Sequence, residues 1–138
     1  MQKVKRFLVH PVTICILFCG LIISGQSNGA FYIFILLLGL SHGVLHSLLG
    51  IGGIMLIIAS LYLKRSSIVA LIRLAASVCF ILSLLCFFMQ PGGDYNYPTF
   101  RQFVPLVVLI IFLLALLLFI LKQFQSLRLK KDQSVSAI

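Results

Sequence analysis

Residues 31–63 read FYIFILLLGLSHGVLHSLLGIGGIMLIIASLYL, an apolar stretch that no Asp, Glu, Lys or Arg interrupts. As one helix it would extend about 50 Å at about 1.5 Å per residue. A bilayer's hydrocarbon core is only about 30 Å thick. Three readings follow: a single long tilted crossing, a helix broken at Gly50, Gly52 and Gly53, or two crossings split at that GIGG. Two crossings would leave residues 51–63 as a segment of about 20 Å and would carry Lys64, Arg65 and the basic C-terminal tail to the outer side. Charge parity therefore favours a single crossing, overlong or kinked at Gly50–Gly53.

Working outward, three further runs are long enough to span: residues 8–25, 67–89 and 103–121. The expected fold is all-α, a polytopic transmembrane four-helix bundle in one domain over residues 1–138, ending in a basic tail at 122–138. The GQSNGA connection carries no positive charge. Lys64 and Arg65 fill the next, and Asp94 balances Arg101 in the third. By the positive-inside rule both termini are cytoplasmic. MQKVKR followed by an apolar run also resembles the start of a signal peptide, but no A-x-A cleavage pattern occurs, so the segment is expected to be retained.

Composition agrees with this threading, since 62% of the 138 residues are hydrophobic and 9% charged. Eleven Lys and Arg face two acids, for a formal charge of +9. Those cations flank the apolar runs, where they set orientation and meet anionic head groups. Position thus argues for a lipid bilayer and against nucleic acid. Cys15, Cys19, Cys79 and Cys86 lie inside apolar runs and read as small hydrophobes rather than a disulfide framework. Tyr32, Tyr62, Tyr95 and Tyr97 fall near the segment ends and are expected at the interface. The fourth run has no polar side chain and is expected to face lipid.

Two polar features stand out inside the long stretch. Gly39, Gly43, His46, Gly50 and Gly53 recur at helical spacing and, with Ser47, form a small-residue seam that lets helix backbones approach closely. Its expected use is packing inside the bundle, with self-association or another membrane protein as the alternative. His42 and His46, four residues apart, would project from one side of a continuous helix. One reading is neutral imidazoles bonded to Ser41, Ser47 or backbone. The sharper one is a transition metal or haem, completed by His10, Cys15, Cys19 or another helix. In a simple hairpin about GQSNGA, His46 would lie level with His10 and His42 with Thr13.

Arg73, about two turns into the third run, either extends toward the head groups beside Lys64 and Arg65 or anchors an anionic ligand or lipid phosphate there. The loop QPGGDYNYPTFRQ is turn-forming. No nucleotide-binding, zinc-protease, serine-hydrolase or C-x-x-C motif is present. The expectation is a non-enzymatic accessory, scaffold or assembly subunit of a bacterial inner-membrane complex. A haem- or metal-binding redox protein is the second reading, and an oligomeric small-solute or ion transporter the third.

Overall fold

The computed structural model describes residues 8–25, 29–64, 66–91 and 93–135. The elements are α1 (Pro11–Cys19), strands β1 (Ile22–Ser24) and β2 (Gly29–Phe31), α2 (Tyr32–Ser41), α3 (Leu45–Tyr62), α4 (Ser66–Met89), a 3₁₀ helix (Gly93–Phe100) and α5 (Phe103–Val135). Three helices are long and apolar enough to cross a membrane, over Leu45–Tyr62, Ser67–Met89 and Phe103–Arg128. The chain is a small integral membrane protein. Its architecture departs from four simple helices, because the first two apolar runs are each divided.

The long stretch divides at Gly43 rather than at Gly50–Gly53. Gly43 has a φ of 66°, its N–H bonds to Leu40 O at 3.1 Å, and the Val44 N–H reaches back to Gly39 O at 3.0 Å. This is a Schellman cap, in which a left-handed residue at C′ lets the next two N–H groups close the helix's last carbonyls. The chain then reverses. Leu36 of α2 lies against Gly50 of α3, and Gly39 against Ser47, so α2 folds back antiparallel on the first half of α3. Gly50 and Gly53 sit within an uninterrupted helix, where each backbone group keeps its intrahelical partner in an apolar solvent. A Gly43→Val variant places a branched side chain in the left-handed region, and its denaturant midpoint is expected to fall by an equivalent of about 1–2 kcal/mol.

The first run yields a helix of only nine residues. Pro11 opens α1 at a position where the missing N–H costs nothing, and His10 Nδ1 accepts from Val12 N at 3.3 Å. After Gly20 the chain turns extended, and β1 pairs antiparallel with β2 in the register Ile22 to Phe31, Ile23 to Ala30 and Ser24 to Gly29. Extended backbone survives among apolar neighbours only if its polar groups are met. For Ser24 of β1 they are met from a distant loop: Thr99 Oγ1 accepts from Ser24 N at 2.9 Å and donates to Ser24 O at 3.3 Å, while Ser24 Oγ donates to Gln102 Oε1 at 2.6 Å. Thr99→Val leaves both Ser24 backbone groups without that partner, and the transition is expected to move by about 1–3 kcal/mol.

α4 returns antiparallel beside α3, placing Ser60 against Arg73, Gly53 against Phe80 and His46 against Phe87. The 3₁₀ helix caps one end of the bundle, the Tyr95 end, and Lys64 marks the other. Phe18 sits at the centre, with its ring 5.3 Å from Tyr32, 4.2 Å from Phe80 and 5.6 Å from Phe112. All four side chains are fully buried. On α5, Phe112, Ala115, Leu116 and Phe119 form a buried stripe at the helical period, and only the opposite side, with Ile110, Leu114, Leu117 and Leu121, is exposed. The expectation of a lipid-facing fourth run holds for that side alone. α5 continues through Val135, so most of the basic tail prolongs the helix.

Candidate functional site

The polar groups inside the bundle gather at two depths. Toward the Tyr95 end, Tyr32 at the start of α2 meets Ser83 of α4, with the two hydroxyl oxygens 2.9 Å apart. Ser83 Oγ in turn donates to His46 O at 2.6 Å. The tyrosine hydroxyl is therefore the donor toward Ser83, and the relay ties α2, α4 and the first turn of α3 together. Tyr32 is fully buried, a correction to its expected place at the interface, whereas Tyr62, Tyr95 and Tyr97 are exposed. Tyr32→Phe removes the first donor but leaves the Ser83–His46 bond, so a loss of about 0.5–1.5 kcal/mol is expected in thermal or detergent unfolding.

Beside this relay lies the His46 imidazole, 5% exposed and edge-on to Phe87 with ring centres 5.1 Å apart. Both of its ring nitrogens and Ser47 Oγ are buried without a hydrogen-bond partner. The expected bonds from imidazole to Ser41 or Ser47 are not formed, and Ser41 Oγ donates instead to Leu38 O at 2.7 Å. Gly39 makes room for the pair. A Cβ there would collide with Ser47 Oγ and lie 3.3 Å from His46 Nε2. On its other side His46 contributes to an open groove of about 610 Å³ between α3 and α4, with Leu45, Leu85, Cys86, Met89 and Gln90.

His42 does not share a helix with His46, because the Schellman turn separates them and leaves His42 exposed at the C-cap of α2. The same-side geometry read from the i, i+4 spacing is thereby lost. His10 is exposed at the N-cap of α1. The hairpin of two full helices that would have levelled it with His46 is replaced by the β1–β2 turn and the fold-back of α2. Among the described residues no three His, Cys, Asp or Glu side chains come close enough to share a metal ion. The four cysteines are free thiols, all half-buried.

The seam residues divide by task. Gly39 and Ser47 face each other across the α2–α3 hairpin, Gly50 is wedged between Leu36 and Ser83, and Gly53 lies under the Phe80 ring. A Cβ at Gly43 would meet nothing within 4 Å, so this glycine serves the turn rather than a close approach.

Toward the Lys64 end, Arg73 Nε donates to Ser60 Oγ at 3.1 Å, and Ser60 Oγ donates to Ile57 O at 2.7 Å. The Arg73 carbonyl accepts from Ser77 Oγ at 2.9 Å. Lys64 is exposed, and Arg65 lies outside the described residues. The sequence reading misplaced Tyr32 and missed Ser83, Ser24, Thr99 and Gln102. Their signal was single polar residues in apolar or turn-forming surroundings, which do not reveal their partners. Comparison with protein-family models, with curated proteins and with solved structures finds no match for this chain.

Proposed function

We propose that this protein is a non-enzymatic accessory or assembly subunit of a membrane complex, embedded in a bacterial cytoplasmic membrane with both termini on the cytoplasmic side. The supporting observation is the exposed β2–α2 flank. All three residues of β2 are exposed, and among the described residues the sheet has two strands. Tyr32 N–H bonds to Leu21 O at 2.7 Å. Alternation along the strand then turns both backbone groups of Gly29 and the N–H of Phe31 to the free edge, while the Phe31 carbonyl, at the N-cap of α2, opens the helix. Next to it, α2 exposes Phe34, Leu37 and Leu38. An unpaired strand edge is a template for pairing with another chain. A second polypeptide that covers this flank satisfies the edge and buries the apolar side chains together.

The test is blue native electrophoresis after mild detergent extraction, combined with crosslinking from Ala30→Cys. A higher-mass species that crosslinks through position 30 is expected. A strictly monomeric band without an associated protein would refute the proposal.

The second reading, a haem- or metal-binding protein, draws support from the two unpartnered nitrogens of His46. One chain offers His46 without a second buried imidazole, so the remaining ligands would come from a partner. An absorption spectrum and metal analysis of the purified protein and of His46→Ala decide it. Absence of both signals from the unaltered protein removes this reading.

A further inference from the structure

The guanidinium of Arg73 is an intramembrane cation for which no described side chain supplies a counter-ion. The sequence contains two acids, Asp94 and Asp132. Asp94 belongs to the 3₁₀ helix that caps the opposite end of the bundle. α5 runs antiparallel to α4, with Phe112 and Phe80 both on the Phe18 ring, which sets Arg73 level with residue 119. Asp132 is then about 20 Å further along α5 at 1.5 Å per residue. Among the described side chains no carboxylate reaches the arginine.

Depth makes this absence consequential. The Ser67–Met89 span covers about 34 Å of helix, slightly more than the hydrocarbon core. With the span centred on the core, Arg73 falls about one turn inside the boundary at the Lys64 end. An ionised side chain at such a depth is tolerated when an anion or water reaches it. Its own geometry favours an anion. Ser60 accepts from Nε, which fixes one side of the planar group, while the two terminal nitrogens have no protein acceptor among the described residues and remain available as a fork. Two donors in one plane match two phosphate oxygens. Lys64, exposed after α3, adds a second positive charge at the same end.

We infer that Arg73, oriented by Ser60 and assisted by Lys64, binds the phosphate of an anionic phospholipid from the leaflet at the Lys64 end. The phosphate chemistry alone would also admit a free phosphate ion. A lipid is preferred because the fork lies inside the hydrocarbon boundary, where a head group carried on acyl chains enters with its apolar part already solvated.

Native mass spectrometry of the full chain in mild detergent tests this, with phosphatidylglycerol, phosphatidylcholine and inorganic phosphate as separate probes. The unaltered protein and Arg101→Gln, an exposed cation at the Tyr95 end, are expected to retain phosphatidylglycerol equally. Arg73→Gln is expected to bind it about tenfold more weakly, the effect of one charge-assisted pair. Phosphatidylcholine should be retained less than phosphatidylglycerol, and millimolar inorganic phosphate should not displace the lipid. Circular dichroism establishes whether Arg73→Gln folds. If it does not, Arg73→Lys carries the test, with binding expected to drop severalfold because the fork is lost while the charge remains. Equal lipid retention by the folded Arg73→Gln or by Arg73→Lys overturns the inference, as does displacement of the lipid by inorganic phosphate.

Discussion

Phe18→Ala is expected to lower stability by about 2–4 kcal/mol, among the largest effects of any single truncation in this chain. The ring is fully buried and in contact with aromatic side chains from α2, α4 and α5, so its removal empties the point where these elements meet. In a bilayer the separated helices already sit in an apolar solvent, which reduces the water-transfer share of the loss. The cavity share remains. Deleting ~100 Å³ at ~24 cal/mol per Å³ gives about 2.4 kcal/mol, and the lost edge-to-face contact with Tyr32 adds about 0.5–1.5 kcal/mol. Reversible unfolding in mixed micelles, followed by circular dichroism, provides the measurement. Phe18→Leu should lose less than about 1.5 kcal/mol. Equal stability of Phe18→Ala and the unaltered protein would show that α1 does not dock where it is placed here.

Gly53→Val should have an effect of similar size through the opposite fault. A Cβ at Gly53 lies 2.7 Å and 2.8 Å from two Phe80 ring atoms and 3.2 Å from Ala76 O, so the ring and the α4 backbone must both move. Overpacking of this kind costs about 1–3 kcal/mol, and a branched side chain falls at the upper end. The neighbouring glycine provides the internal control. Gly52 has nothing within 4 Å of its Cβ position, and Gly52→Ala is expected to be neutral or to stabilise by up to about 1 kcal/mol through helix propensity. Adding Phe80→Leu to Gly53→Val should restore part of the loss, since the two sites share one contact and their effects are not additive. Equal behaviour of the two glycine variants in the micelle assay would contradict the α3–α4 packing described here.

These two sites differ in how far the sequence announced them. The spacing of Gly50 and Gly53 identified a packing face, because small residues recurring on one side of an apolar helix have a narrow range of uses. The membrane character and the spans at 67–89 and 103–121 followed from length and polarity alone. The fold-back at Gly43 was hidden. A Schellman cap needs only one left-handed residue followed by an apolar one, and Gly43-Val44 satisfies that inside a run where several other glycines compete. The arithmetic of an overlong helix pointed to a break, but not to which glycine would provide it.

The β1–β2 hairpin was hidden for another reason. Residues 22–24 are as apolar as any helix segment, and what holds them extended is a set of bonds to Thr99 and Gln102, distant in sequence. The histidine pair shows the consequence for function. Its spacing implies a shared face only on an unbroken helix, and the turn between the two residues removes that premise. Arg73 was visible as an isolated cation, whereas its orientation by Ser60 depends on how α3 and α4 pair.

The fold-back at Gly43 is the claim from which the rest of the architecture follows, and side-specific labelling tests it most directly. In a cysteine-free background, single cysteines at His42, Tyr95, Lys64 and Arg128 are exposed to a membrane-impermeant maleimide in sealed, oriented vesicles. All four positions are exposed in the structure. His42→Cys and Tyr95→Cys are expected to react from one side, and Lys64→Cys and Arg128→Cys only from the other. If residues 31–63 formed a single crossing, position 42 would lie in the hydrocarbon core. An unreactive His42→Cys alongside a reactive Tyr95→Cys would then contradict the re-entrant α2–α3 hairpin.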